Sequence, residues 1–216
     1  SLQRLKGGQS FSPRKVGPEE DLDVFYRRQL LEAERQNYWN QFNLGLLDKN
    51  ATTKLVEAVE VALDGQPDLG PRAKLQQLWS DDDWLEQLSH RLGLRQTRFR
   101  RLALQYATLR GYAQAQQTLL DIADGLAPDA NLAAQADAAI EANLQQTQAR
   151  AAAFRREHAD TVTRLETYTA LRLLLNRRRD AVHHLGEEGV LEPAETRKLI
   201  ERVEHQMFKL ARGGVL

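Results

Sequence analysis

The sequence predicts an all-α fold, a multi-helix bundle built from helical hairpins with two similar hairpins near its start and end. The strongest reason is a 35-residue unit written twice. Residues 30–64 (LLEAERQNYWNQFNLGLLDKNATTKLVEAVEVALD) and 174–208 (LLNRRRDAVHHLGEEGVLEPAETRKLIERVEHQMF) agree at eleven positions when shifted by 144. Leu30/Leu174, Gly45/Gly189, Leu47/Leu191, Leu55/Leu199 and Val59/Val203 are among them, giving a pattern of helix, glycine turn, leucine, acid, helix. Elsewhere apolar residues recur at the three- and four-residue spacing of an amphipathic helix. No alternating run of β-branched and polar residues is long enough for a strand.

Residues 1–18 hold Gly7, Gly8, Ser10, Ser12, Pro13, Gly17 and Pro18 without periodicity, and read as a flexible linker. Glu19 and Glu20 suit the first turn of a helix, which carries Leu22, Phe25, Tyr26, Leu30, Ala33, Tyr38 and Phe42. Gly45 marks its end. Asp48 or Asn50 caps a second helix, ending at Leu63 before Gly65, Pro67 and Gly70-Pro71. A short helix over Ala73–Trp79 follows, and Asp81–Asp83 would cap another over Trp84–Leu92. Thr97 opens a long helix to about Asp124, broken by Gly125 and Pro128. An alanine- and glutamine-rich helix of high intrinsic propensity begins at Asp129 and reaches about His158. Asp160 or Thr161 restarts or continues it to Glu188, and Pro193 opens the last helix, ending near Gly213. The expected organisation is a linker over 1–18 and a helical unit over 19–212, with an opening hairpin 19–64, middle helices 71–158 and closing helices 160–212.

Bulk composition narrows the function. Thirty basic residues balance thirty acidic ones, so net charge does not point to a nucleic-acid partner. The absence of cysteine removes disulfides, thiol catalysis and thiolate metal sites. No apolar run approaches the roughly 20 residues that cross a bilayer, and the N-terminus does not resemble a signal peptide.

Few constellations suggest chemistry. His183 and Glu187 share a helix face, with His184 beside them and His205 on the next helix. That set lacks the ligand number and order of a zinc site, so no metal is assigned. Near neutrality, His183, His184 and His205 are candidates for pH sensitivity. Arg95, Arg98, Arg100, Arg101 and Arg110 fall in one stretch with Phe99 and Tyr106, making Arg98 and Arg101 candidates for a basic, polyanion- or headgroup-binding surface. Phe99, Leu102 and Tyr106 are equally explained as core. Phosphate-binding glycine loops and a nucleophile elbow are absent, and no cofactor or catalytic residue is assigned. Tyr38, Trp39 and Phe42 are the candidate interface anchors, because a helix cannot bury both members of an adjacent Tyr38-Trp39 pair on one narrow stripe.

The segments YRRQLLEAERQNYWNQFNLGLLDKNATTKLVEAVEVALD and TALRLLLNRRRDAVHHLGEEGVLEPAETRKLIERVEHQMFKL resemble the post-membrane region of sodium/proton antiporters of the monovalent cation:proton antiporter-1 family. The middle of the chain is similar in the order of its pieces, so the resemblance spans about 19–212. It implies a non-catalytic cytosolic regulatory and dimerisation domain on the cytoplasmic side of the cell membrane, near the membrane surface. Its partners would be a transport domain of the same polypeptide, upstream of the linker, and a second copy. No transport residue is carried over, because the resemblance includes none of the membrane part. Two other readings remain open: an independent helical adaptor for a protein or peptide, and a polyanion or lipid-headgroup binder using the arginine-rich helix.

Overall fold

Helix accounts for 87% of the described residues, and no strand occurs among them. The computed structural model describes residues 18–80 and 95–213, with side chains over 22–80 and 98–210. The linker expected before Pro18 and the helix expected over Trp84–Leu92 lie outside the described residues, as does the side-chain environment of Arg95.

Among the described residues, seven helices follow in order: α1 (Pro18–Asn43), α2 (Lys49–Asp64), α3 (Ala73–Trp79), α4 (Arg95–Leu126), α5 (Ala130–Glu157), α6 (Ala159–Glu187) and α7 (Pro193–Gly213). Local chemistry accounts for most boundaries. The Asp48 carboxylate accepts a hydrogen bond from Ala51 N at 2.8 Å, so the cap of α2 is Asp48. Asp129 does the same for α5, accepting from Asn131 N and Leu132 N at 2.9 Å. Pro18 and Pro193 stand at first helical positions, where a missing N–H costs nothing. The break expected at Gly125 falls inside the last turn of α4, which stops only at Leu126 ahead of Pro128. Between α5 and α6 only His158 departs from helix, and the ladder carries on around it through His158 N to Phe154 O and Val162 N to His158 O.

α1 and α2 form an antiparallel hairpin laid on α4, α5 packs along α4, and α3 bridges α2 and α4. On α5 the buried seam is Ala133, Ala136, Ile140, Leu144 and Thr147, whose small members let the two long helices run close. The main core is drawn from α1 to α5, around Tyr26, Leu30, Tyr38, Leu55, Tyr112 and Ile140. α6 touches α4 and α5, and α7 packs on α6. Buried apolar residues of α6 and α7 are Val162, Val182 and Val203, apart from the main core.

Candidate functional site at the junction of the hairpins

Both copies of the repeat form the same turn. Gly45 sits at φ +82° and Gly189 at φ +72°, the left-handed region that costs an L-residue with a Cβ about 1–2 kcal/mol. Around Gly45, Gly45 N donates to Phe42 O at 2.9 Å and Leu46 N to Gln41 O at 2.9 Å. At positions 144 further on, Gly189 N donates to Gly186 O at 3.2 Å and Val190 N to Leu185 O at 3.0 Å. The bonds Leu47 N to Gln41 O and Thr52 N to Asp48 O likewise recur as Leu191 N to Leu185 O and Thr196 N to Glu192 O. This is the glycine-terminated C-cap that satisfies the last carbonyls of a helix.

The two turns differ in what surrounds them. Three side chains hold carbonyls of the first. Arg110 Nη2 of α4 donates to Leu46 O at 2.9 Å, Arg172 Nη2 of α6 to Leu47 O at 2.7 Å, and Asn176 Nδ2 of α6 to Leu44 O at 3.4 Å. Two of these groups are cations near the negative end of the α1 dipole, a favourable placement. Burial lowers the Arg110 pKa from its ordinary value, against the raising effect of the nearby Tyr106 and Glu166. A Cβ on Gly45 would lie 2.2 Å from Asn176 Nδ2, whereas one on Gly189 would meet nothing within 4 Å. The base of the closing hairpin therefore grips the tip of the opening one. The tip of the closing hairpin stands clear.

A second set of contacts ties the opening hairpin to α3. Arg72 Nη1 and Nη2 donate to Glu34 Oε1 and Oε2 at 2.6 and 2.8 Å, and the Tyr38 hydroxyl donates to Glu34 Oε1 at 2.6 Å. Glu34 and Tyr38 are both 0% exposed. Burial alone would lower the Arg72 pKa, but the charge and hydrogen bonds of Glu34 outweigh it and hold it above the usual guanidinium value. Burial, and then the adjacent Glu34 charge, push the Tyr38 phenol well above its ordinary value. On the closing hairpin the residue matching Glu34 is Arg178, an exposed side chain that donates to Gln206 Oε1 at 3.4 Å.

The interface anchors separate. Tyr38 is withdrawn from the surface by its bond to Glu34, so it is corrected to a core residue. Trp39 is 43% exposed and meets the half-buried Phe42 edge to face, with ring centroids 6.1 Å apart. The described arginines of the stretch are placed differently from one another. Arg110 turns inward to Leu46, while Arg98 lines an open pocket of about 440 Å³ with Phe99, Leu102, Arg156 and the start of α6. Arg101 is half-buried. His183 and His205 are exposed and His184 Nε2 lies 3.3 Å from Glu188, within its own helix end. Among the described residues no three His, Asp or Glu side chains gather where they could hold a metal ion.

Sequence reasoning missed Glu34, Arg72, Arg110, Arg172 and Asn176 as the groups that join the elements. One signal was present. Across the repeat Glu34 is replaced by Arg178, and a reversal of charge between otherwise similar helices marks a position whose surroundings differ. No helix of the described residues is long and apolar enough to cross a membrane. Comparison with family models and with curated proteins returns no match to this chain.

Proposed function

We propose that this chain is a cytosolic regulatory and dimerisation domain of a monovalent cation/proton antiporter, non-catalytic in itself, which joins two protomers and biases exchange by their membrane parts. The observation that carries the reading is the junction. The opening hairpin follows directly on the segment that would lead from the membrane, and its tip is held by Arg172 and Asn176 of the helix that begins the closing hairpin. A displacement of either hairpin thus changes contacts at the other, the differential contact that coupling between sites requires. The resemblance of 26–64 and 169–210 to the post-membrane region of such antiporters supplies the identity of the transporter.

Two measurements test it. Ten or more apolar spans encoded upstream of Ser1 support the proposal, and a start codon there overturns it. In the full-length protein reconstituted in vesicles, Arg172→Ala should change the pH or cation dependence of exchange without abolishing transport. An unchanged profile contradicts the coupling.

A further inference from the structure

The closing hairpin carries a groove of about 570 Å³ between α6 and α7, floored by Gly186, Thr196 and Ile200 and edged by Arg197, Glu201 and Glu204. At the positions matching His183 and Gly186, the opening hairpin carries the aromatic pair Trp39 and Phe42. Val56 there is 7% exposed, while its counterpart Ile200 is half-exposed. The closing copy of the unit has His183 and Gly186 in place of those rings.

The edge of α7 is complementary to itself. Arg197 and Glu204 fall at equal spacing on either side of a point between Ile200 and Glu201, and so do Pro193 and Phe208. Residues 193, 197, 200, 201 and 204 line the groove, and Phe208, 54% exposed, lies one turn further along the same row. If a second α7 runs antiparallel across this edge, the twofold axis passes between Ile200 and Glu201. Each Arg197 then faces the other chain's Glu204, twice per pair. Each Phe208 then lies beside the Pro193 end of the other chain's groove.

We infer that the closing hairpin is the surface through which two copies of this chain join, α7 against α7 in antiparallel sense, with a twofold axis near Ile200. An isologous contact of this kind closes on itself as a dimer and needs no second patch. The inference deepens the dimerisation reading above and rests on it, but it does not depend on which transporter, or whether any, lies upstream.

The test is sedimentation of the full chain over a range of concentrations, with circular dichroism confirming that each variant stays folded. Wild type should be a reversible dimer. Arg197→Glu and Glu204→Arg should each raise the dissociation constant about tenfold or more, because each reversal turns two attractions into repulsions. The double variant R197E/E204R restores both pairs and should return to the wild-type constant. Since the chain has no cysteine, Ile200→Cys should give a covalent dimer on oxidation, while Leu174→Cys on another face should not. A dimer indifferent to R197E, E204R and Phe208→Ala overturns this surface and leaves dimerisation standing. A chain that stays monomeric at every concentration overturns both.

Discussion

The opening and closing hairpins share a backbone and differ in what covers it. Leu30 and Leu174 are the same residue at matching positions, yet Leu30 is 0% exposed and Leu174 is 65% exposed. Gln41 is 5% exposed and its counterpart Leu185 38%, although the second is the more apolar side chain. The difference is α4. It lies along the opening hairpin, where Gln41 Nε2 reaches Gly111 O at 3.0 Å and the Tyr26 hydroxyl reaches Ala123 O at 2.8 Å. The close approach needs Gly111, since a Cβ there would stand 2.9 Å from Leu47 Cδ2. One sequence unit is thus largely enclosed in one place and more exposed in the other.

Matched substitutions break this comparison most sharply at the buried ion pair. Glu34→Ala strands Arg72 among apolar neighbours and should cost about 3–5 kcal/mol of unfolding free energy. Arg178→Ala, its counterpart, should change stability by no more than about 0.5 kcal/mol. Chemical denaturation of both variants measures the contrast. A similar loss in the two would mean that the hairpins are equally embedded.

Next in size is the leucine pair. Leu30→Ala opens a cavity in a closed core and should cost about 2–5 kcal/mol. Leu174→Ala removes a side chain already in solvent and should stay within about 0.5 kcal/mol on the same denaturation curves.

At the turns, Gly45→Ala and Gly189→Ala both force a Cβ into the left-handed region, at about 1–2 kcal/mol each. Only the first also pushes into Asn176. Gly45→Ala should therefore be the more damaging by thermal melting, and it should speed amide exchange at 44–47 as the Arg172 and Asn176 contacts loosen. Equal effects would place the cost in the backbone alone.

The smallest effect is the dependence on alkaline pH. Tyr38 and Tyr112 are raised chiefly by burial and then by the Glu34 charge, and Tyr26 by burial and then by Asp137. A phenol that keeps its proton longer in the folded chain stabilises the fold fully below its unfolded pKa of about 10. That contribution drains away as pH rises from there through the raised folded value. Urea midpoints should fall above about pH 10, and Tyr38→Phe should flatten part of that fall. A midpoint independent of pH in this range would contradict the burial of the phenols.

Much of the fold was legible because helix boundaries are local. Asp48, Asp129, Pro193 and the two turn glycines signal their roles within a few residues, and the repeat revealed the two hairpins. Which hairpin would be covered was not legible. Leu30 and Leu174 carry no difference in type or neighbouring periodicity that sets their burial; a helix some 80 residues away along the chain does. The Glu34–Arg72 pair spans 38 positions and hides among sixty charged residues, most of them solvated. Arg110 likewise reads as one more member of a basic run, until the turn it caps is folded beneath it. Tyr38 and Trp39, adjacent in the chain, fall on different sides of α1, one buried and the other 43% exposed.

Native-state hydrogen exchange, followed at several protein concentrations, tests the two-hairpin account most directly. Amides of 55–62 in α2 should exchange only through global unfolding, at a rate independent of concentration. Amides of 199–206 in α7 should open more easily in dilute solution and gain protection as concentration rises and the hairpins pair. Equal, concentration-independent protection of the two segments would contradict the claim that one hairpin is core and the other a joining surface.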